Sequence, residues 1–217
     1  MKIEWLGHAS FVLTYESGFK VITDPYESGS YNGAVGYGKI NMSADVVTIS
    51  HTHPDHNCPK EVKGDYILIT ECKSVKLSND IEVMGFHSYH DTNSGKDRGE
   101  NIIFKFTGEG LNVVHFGDLG HTLSVSQVEA LGLVDIAIIP VGGHFTIDHN
   151  TAWEVIKKVK PKIIIPMHYK TEKLDFPIAG VAEFLSGTDS VRHADELDIT
   201  SKSLPDNQEV WVLKHLR

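Results

Sequence analysis

Cysteine is scarce in this chain. Cys58 and Cys72 are the only two in 217 residues, and their spacing offers neither a bridge nor a Cys-x-x-Cys site. No apolar run approaches the roughly 18 residues of a membrane span. The longest, Val134–Val141 and Ile163–Met167, have the length of core strands. Positive charge is short as well: 20 Lys and Arg stand against 29 Asp and Glu, a net charge of −9. That balance argues against a nucleic-acid binder that works through a broad basic face. The first residues, MKIEWLGHASFVL, carry Glu4 and His8 where a signal peptide needs an unbroken apolar core. A cytoplasmic protein with no membrane partner is therefore expected. What the chain does have is a 41 % hydrophobic fraction beside 23 % charged residues, enough for the packed core of a single domain over residues 1–217. It also has 13 histidines, and imidazole is the commonest metal ligand and proton carrier among side chains.

Short β-type runs recur between turn signals. Candidate strands are Ile3–Trp5, Ser10–Tyr15, Lys20–Thr23, Val46–Ser50, Tyr66–Thr70, Ile81–Phe86, Asn101–Phe106 and Leu111–Phe116. The last two read as a hairpin with Thr107-Gly108-Glu109-Gly110 as its turn. Ser124 with Gln127 forms a capping box ahead of a helix that Gly132 ends. Thr151 with Glu154 forms another, ahead of a helix that Pro161 stops. An apolar strand follows each helix, Ile136–Pro140 and Lys162–Pro166; a weaker helix covers Ile178–Leu185, and Glu209–Leu213 closes the chain as a strand. A β-rich first half and an alternating second half predict a mixed α/β (α+β) protein. Its two sheets would carry helices on their outer faces, a four-layer αββα sandwich. Glu27–Asn41, rich in Gly, Tyr and Ser, is the one long irregular stretch, and such loops often border a site.

The strand Val46–Ser50 runs straight into His51-Thr52-His53-Pro54-Asp55-His56. A strand end projects alternate side chains to one side, so His51 and His53 can converge on one ion. Asp55 and His56, turned by the Pro54 bend, can face a second position. A solvated loop is the bland alternative, but four potential ligands in six residues rarely arise by accident, and a metal site is the expectation. Further ligands belong at other strand ends on the same side. His90 follows Ile81–Phe86 by a few residues, Asp118 follows Leu111–Phe116, where a carboxylate can bridge two ions, and His168 follows Ile163–Pro166. Histidine and aspartate without thiolate suit zinc, manganese, iron or nickel rather than a soft metal.

The hexapeptide resembles the HxHxDH signature of the metallo-β-lactamase superfamily. Leu6-Gly7-His8-Ala9-Ser10-Phe11, Asp24-Pro25, Tyr89-His90-Asp91 and Arg98-Gly99-Glu100-Asn101 extend the resemblance. So do His115-Phe116-Gly117-Asp118-Leu119-Gly120-His121, Pro140-Val141-Gly142-Gly143 and Ile165-Pro166-Met167-His168-Tyr169. Together they are similar to one branch, the L-ascorbate-6-phosphate lactonase-like metal-dependent hydrolases, and run from residue 6 to 170. The resemblance implies the αββα metallo-β-lactamase fold with a dinuclear site at one edge. It implies His51, His53 and His90 on the first ion, Asp55, His56 and His168 on the second, and Asp118 between them. His87 competes with His90, and the Tyr-His-Asp context selects His90. The cofactor would be two divalent ions, zinc or manganese first, iron or nickel otherwise.

Two ions about 3.5–4 Å apart lower the pKa of a shared water to roughly 7. Hydrolysis of an ester, phosphodiester or phosphorylated lactone through a metal-bound hydroxide follows, with a small anionic substrate anchored by the ions. Asp55 and Asp118 are the catalytic candidates, Asp55 also orienting the water or returning a proton to the leaving group. Nucleic acid enters only as a phosphodiester substrate, and a homo-oligomer is compatible with the sequence. Two rivals use the same fold: a di-iron redox protein, whose flavodiiron relatives usually carry a flavin domain that 217 residues leave no space for, and a metal-binding protein without turnover.

Other polar residues have assigned places. His8 is expected behind the ligands, holding one of them. His121, His144, Arg98 and Lys170 are weaker candidates for substrate contacts. Gly142-Gly143 either lets backbone approach substrate or makes a turn. Tyr31 and Tyr37 are expected to cap the pocket, Cys58 to pack as a small side chain, and His149, His193 and His215 to lie on the surface.

Overall fold

The structure, a computed structural model, describes residues 1–78 and 80–217. The first half runs through β1 (Lys2–Gly7), β2 (Ser10–Thr14), β3 (Lys20–Thr23), β4 (Val46–Thr48), β5 (Ile67–Ile69), β6 (Ser74–Lys76), β7 (Glu82–Tyr89), β8 (Glu100–Gly108) and β9 (Leu111–His115). The second half adds α1 (Val125–Leu131), β10 (Ile136–Pro140), α2 (His149–Val159), β11 (Ile163–Met167), α3 (Val181–Leu185), β12 (Val191–Ala194), β13 (Glu196–Asp198) and β14 (Glu209–Leu213). They form a six-stranded sheet, β13-β1-β2-β3-β4-β5, and an eight-stranded sheet, β12-β14-β11-β10-β9-β8-β7-β6. Both are mixed: β1–β2 and β7–β8 are antiparallel, β3–β4 and β10–β11 parallel.

The two-residue period of a strand builds the layers. On β2, Phe11 and Leu13 enter the main core with Ile3 and Trp5 of β1, while Val12 points to the opposite face, beside Ile22 and Val47. β10 and β11 are buried at every position, as parallel strands covered on both faces are. Helix α2 supplies part of that cover with Ala152, Val155, Ile156 and Val159. The expected sandwich is present, but the outer layer over the six-stranded sheet is not helical. Tyr26, Val35, Tyr37, Ile40 and Ala44 fill it from an irregular segment, joined by Val62 after a single 3₁₀ turn at Pro59–Glu61 and by Leu174, Phe176 and Ile178. Glycines at 29, 33, 36 and 38 and the lack of a 3.6-residue apolar repeat deny that segment a helix.

Local differences have local causes. The capping box at Ser124 is formed as expected. The second helix starts earlier: Asp148 is its N-cap, accepting from the Thr151 N–H at 2.8 Å, because Asp is the stronger cap and precedes Thr151 in the chain. The weaker helix shortens to Val181–Leu185, with Gly180 in extended backbone as its N-cap. The hairpin turn tightens to Glu109-Gly110, with φ of +56° and +72°, the signs of a type I′ turn. β6, β12 and β13 have three or four largely exposed residues and no apolar alternation that could announce them.

Candidate metal centre

The ends of β4, β7, β9 and β11 open on one edge of the sandwich, as do the β1–β2 turn and the end of β3. Each is followed within a few residues by a histidine or aspartate. Beyond β4, the Pro54 bend closes as a turn in which the His53 carbonyl accepts the N–H groups of His56 and Asn57, each at 2.9 Å. The ligand atoms of His51, His53 and His90 gather within 4.8 Å of one another, and so do those of His8, Asp55, His56 and His168. Asp118 stands between the two groups. Its Oδ2 lies 3.2 Å from Nε2 of both His90 and His168, and its Oδ1 lies 3.2 Å from Nε2 of His56. His51, His53, Asp55, His56, His90, Asp118 and His168 are thus brought together. His87 is not: its ring is exposed beside Glu100.

A second layer of side chains fixes these orientations. Asp24 Oδ2 accepts from His56 Nδ1 at 2.9 Å, and the same carboxylate takes the Ser50 N–H at 2.8 Å and the Ser50 hydroxyl at 2.5 Å. His8 Nε2 lies 3.0 Å from Asp55 Oδ2, the place expected of it behind a ligand. The His8 carbonyl accepts from Trp5 Nε1 and from the His168 N–H, tying two strand ends together. Asn101 Oδ1 accepts the Asp118 N–H at 2.9 Å, while its amide donates to Ser88 and to the Phe116 carbonyl. His8, Asp24 and His168 all adopt positive φ, +53°, +40° and +52°. Non-glycine backbone in that region is strained, and such strain concentrates where function demands a position. Gly142 resolves its own alternatives: a Cβ there would lie 2.2 Å from the His168 carbonyl oxygen, so the glycine admits the neighbouring strand end, not substrate.

The electrostatics follow from burial and neighbouring carboxylates. Burial, with the His168 ring beside it, pushes the His8 pKa down to about 4, which leaves a neutral ring donating Nε2–H to Asp55. Burial likewise pushes His51 down to about 3. Burial also works against a charged His56, but Asp118, Asp55 and Asp24 outweigh it and lift that ring well above the usual histidine range. Asp118 is held well below the ordinary carboxylate range, its burial outweighed by His168, His56 and His90.

A cavity of about 270 Å³ opens over the cluster. His53, Asp55, His90, Asp118 and His168 form its floor and one wall; Tyr31, Phe145, Phe176, Asp97 and Arg98 complete it. Arg98 and Tyr31 are where the sequence reading puts them. Three other expected contacts are not in this lining. His121 faces the backbone, its Nδ1 donating to the Thr122 carbonyl and its Nε2 accepting the Tyr89 N–H, so it braces the residue before His90. His144 is exposed at φ +60°, and its neighbour Phe145 turns into the cavity in its stead. Lys170 donates to Asp175 and to the Phe176 carbonyl, which props the loop that carries Phe176. Tyr37 is fully buried under Gly7 and does not cap the pocket. Cys58 is buried and His193 lies at the surface, whereas His149 is half-buried beside Glu183 and His215 packs half-buried between Trp5 and Tyr37 and meets Glu172 at 2.8 Å. Phe145, Phe176 and Asp97 have no place in the sequence reading, and no local pattern marks them. Asp24 had a signal: an aspartate directly after the buried strand β3.

Residues 2–168 match the beta-lactamase superfamily domain family. A UPF0173 metal-dependent hydrolase of Archaeoglobus fulgidus is 30 % identical over 199 residues, which cover 79 % of this chain and 84 % of that protein. Among solved structures, a proposed Zn-dependent hydrolase of the metallo-β-lactamase superfamily from Thermotoga maritima superimposes with a TM-score of 0.80 at 38 % identity, over 98 % of this chain and 97 % of that one. A metallo hydrolase of Ignicoccus hospitalis shares the fold at a TM-score of 0.66 and 21 % identity, over 98 % and 94 % of the two chains.

Proposed function

Because the chain belongs to the metallo-β-lactamase superfamily, in its UPF0173 metal-dependent hydrolase family, we propose that it is a dinuclear hydrolase of a small anionic ester, phosphodiester or lactone. The resemblance of its motifs to those of the L-ascorbate-6-phosphate lactonase-like branch supports hydrolysis as the chemistry without carrying over that branch's substrate. One observation carries the reading. Among the described residues, Nε2 of His51, Nε2 of His56 and Oδ1 of Asp118 are buried with no hydrogen-bond partner, although the last two lie only 3.2 Å apart. A buried polar atom left unpaired costs about 1–3 kcal/mol. Several in one place are tolerable when a cation completes them, and imidazole with carboxylate is the donor set of zinc or manganese.

His51, His53 and His90 would hold one ion, Asp55, His56 and His168 the other, with Asp118 shared. Ions so held would supply a nucleophile at neutral pH and would polarise the oxygen of the scissile group. Asp24 orients His56 through its Nδ1, and His8 orients Asp55. Burial opposes charge on Asp55, but His56 and His8 outweigh it and hold the carboxyl well below its ordinary range. A charged Asp55 is an acceptor that can orient a water. Its Oδ1 meets the Tyr31 hydroxyl at 3.2 Å at the cavity wall. Phe145 and Phe176 make that side of the cavity apolar.

The test is metal analysis of the purified chain together with turnover of bis-p-nitrophenyl phosphate, aryl esters and lactones after loading with zinc or manganese. Hydrolysis of at least one class, abolished in His51→Ala, is expected. A loaded protein inert towards all of them overturns the reading; stoichiometric iron with visible absorbance would transfer it to the di-iron redox rival.

A further inference from the structure

The cavity has two unlike walls. One is ligating, made of His53, His90, Asp118 and His168; the other is aromatic, made of Tyr31, Phe145 and Phe176, with Arg98 at the lip. Phe176 is the hub of the aromatic wall. Its ring stands edge-on to His8 at 5.8 Å near the floor, to Tyr31 at 5.4 Å and to Phe145 at 5.5 Å. The Arg98 guanidinium lies 5.7 Å from the centre of the Phe145 ring. Its backbone is fixed before any ligand arrives, because the N–H groups of Asn93, Gly95, Asp97 and Arg98 all bond the Asp91 carboxylate. Among the described residues, no Ser, Thr, Asn or Gln side chain lines this space.

We infer, on the hydrolase reading above, that the substrate lays a flat apolar group, an aryl ring or short hydrocarbon, on Tyr31, Phe145 and Phe176, presents one anionic group to Arg98, and is not a sugar or polyol. Three arguments lead there. A scissile group on the ligating wall leaves the rest of the molecule facing three rings, which reward apolar area and ring-edge contact. Polyol hydroxyls placed against those rings would give up water without gaining partners, since the wall offers little beyond the Tyr31 hydroxyl. Charge is matched once only: Arg98 attracts an anion, and the Asp97 carboxylate on the same rim repels a second. The volume sets the size. At about 30 Å³ per water, about 270 Å³ is room for roughly nine water-sized groups.

The test is calorimetric binding to the metal-loaded full chain of four probes: methylphosphonate, phenylphosphonate, 4-carboxyphenylphosphonate and glucose 6-phosphate. Phenylphosphonate should bind at least tenfold tighter than methylphosphonate or glucose 6-phosphate. The added carboxylate should bring a further fivefold, lost in Arg98→Ala and partly kept in Arg98→Lys. The phenyl-to-methyl ratio should fall below threefold in Phe145→Ala, a half-exposed position, and also fall in Phe176→Leu, which keeps buried apolar volume. If methylphosphonate binds and the ring adds nothing, or if glucose 6-phosphate binds as tightly as phenylphosphonate, the inference is overturned while the hydrolase reading stands. If none of the four probes binds the metal-loaded chain, both fall together. A ratio that survives both phenylalanine variants also overturns the inference and reduces the rings to loop packing.

Discussion

Asp24 Oδ2 lies 2.9 Å from His56 Nδ1, with both side chains wholly buried. The carboxylate accepts from Nδ1 of His56 and so turns Nε2 of that ring toward Asp118. Asp24→Asn keeps the volume and removes the charge. Partners of this kind are worth about 10–100-fold in metal affinity. A loss in that range is expected on competition titration with a chelator. The metal-free variant should still melt cooperatively, and unchanged affinity would show that His56 needs no such brace.

Gly117 lies between β9 and Asp118 at φ +55°, and a Cβ there would stand 2.3 Å from Asn101 Oδ1. Asn101 is the residue that accepts the Asp118 N–H, so the collision falls on the hydrogen bond that aims the bridging carboxylate. Gly117→Ala should destabilise by at least about 1–3 kcal/mol, from left-handed strain together with overpacking. Gly18→Ala is the control: its φ is +86° but its Cβ meets open space. Chemical denaturation of the two variants separates the clash from the strain, and metal content should fall only in the first.

How much of this was legible in the sequence depends on how local each signal is. The hexapeptide after β4 and the single residues His90, Asp118 and His168 announce themselves, because a polar ligand directly beyond an apolar strand has few other reasons to be there. The capping box at Ser124 is equally local. The aromatic wall is not: Tyr31, Phe145 and Phe176 come from three loops, and only the folded chain brings the first two rings within about 6 Å of the third. For the same reason His121 and Lys170 looked like pocket residues. Their proximity to Asp118 and His168 along the chain is real, but both side chains turn back to brace backbone. The short strands β12 and β13 owe their form to their neighbours β14 and β1, which no pattern of their own could reveal.

His90 and His87 lie three residues apart and have opposite surroundings. His90 is buried against Asp118, whereas the exposed His87 faces Glu100 at 3.4 Å. His90→Ala should lose at least one equivalent of bound metal under conditions where the wild type keeps its full complement. His87→Ala removes a surface pair worth about 0–1 kcal/mol and should leave metal content untouched. Elemental analysis after dialysis decides, and equal losses in the two variants would contradict the assignment.

Asp91 anchors the loop that carries Arg98. Burial opposes its charge, but four backbone N–H donors, Arg98 foremost, hold its carboxyl down to about 2. In the unfolded chain an aspartate titrates near about 3.9, so the native state binds fewer protons in between. Its contribution is therefore fully present above about pH 4 and is lost as pH falls toward about 2. Asp91→Asn lacks that contribution at every pH. Thermal melts of the two metal-free proteins should differ most near neutrality and converge in acid, and a gap that widened below about pH 4 would refute the linkage.

Metal removal should weaken the fold as well as stop turnover. The buried donor atoms at His51, His56 and Asp118 are unsatisfied without a cation, and only the folded chain gathers them from separate strand ends. Binding to the native state alone stabilises by about 2.7 kcal/mol for one site at a hundredfold excess over Kd. For a chain of this size that corresponds to a rise in Tm of about 5–10 °C per site. Chelator-stripped protein titrated with manganese or zinc and followed by scanning calorimetry should show that rise. His51→Ala should retain less than half of it, because its ring lies within 4.8 Å of ligand atoms in both the His53–His90 group and the Asp24–His56 pair. Ions held by exposed carboxylates would stabilise the two proteins equally, so the difference between the curves, more than the rise itself, reports on the cluster.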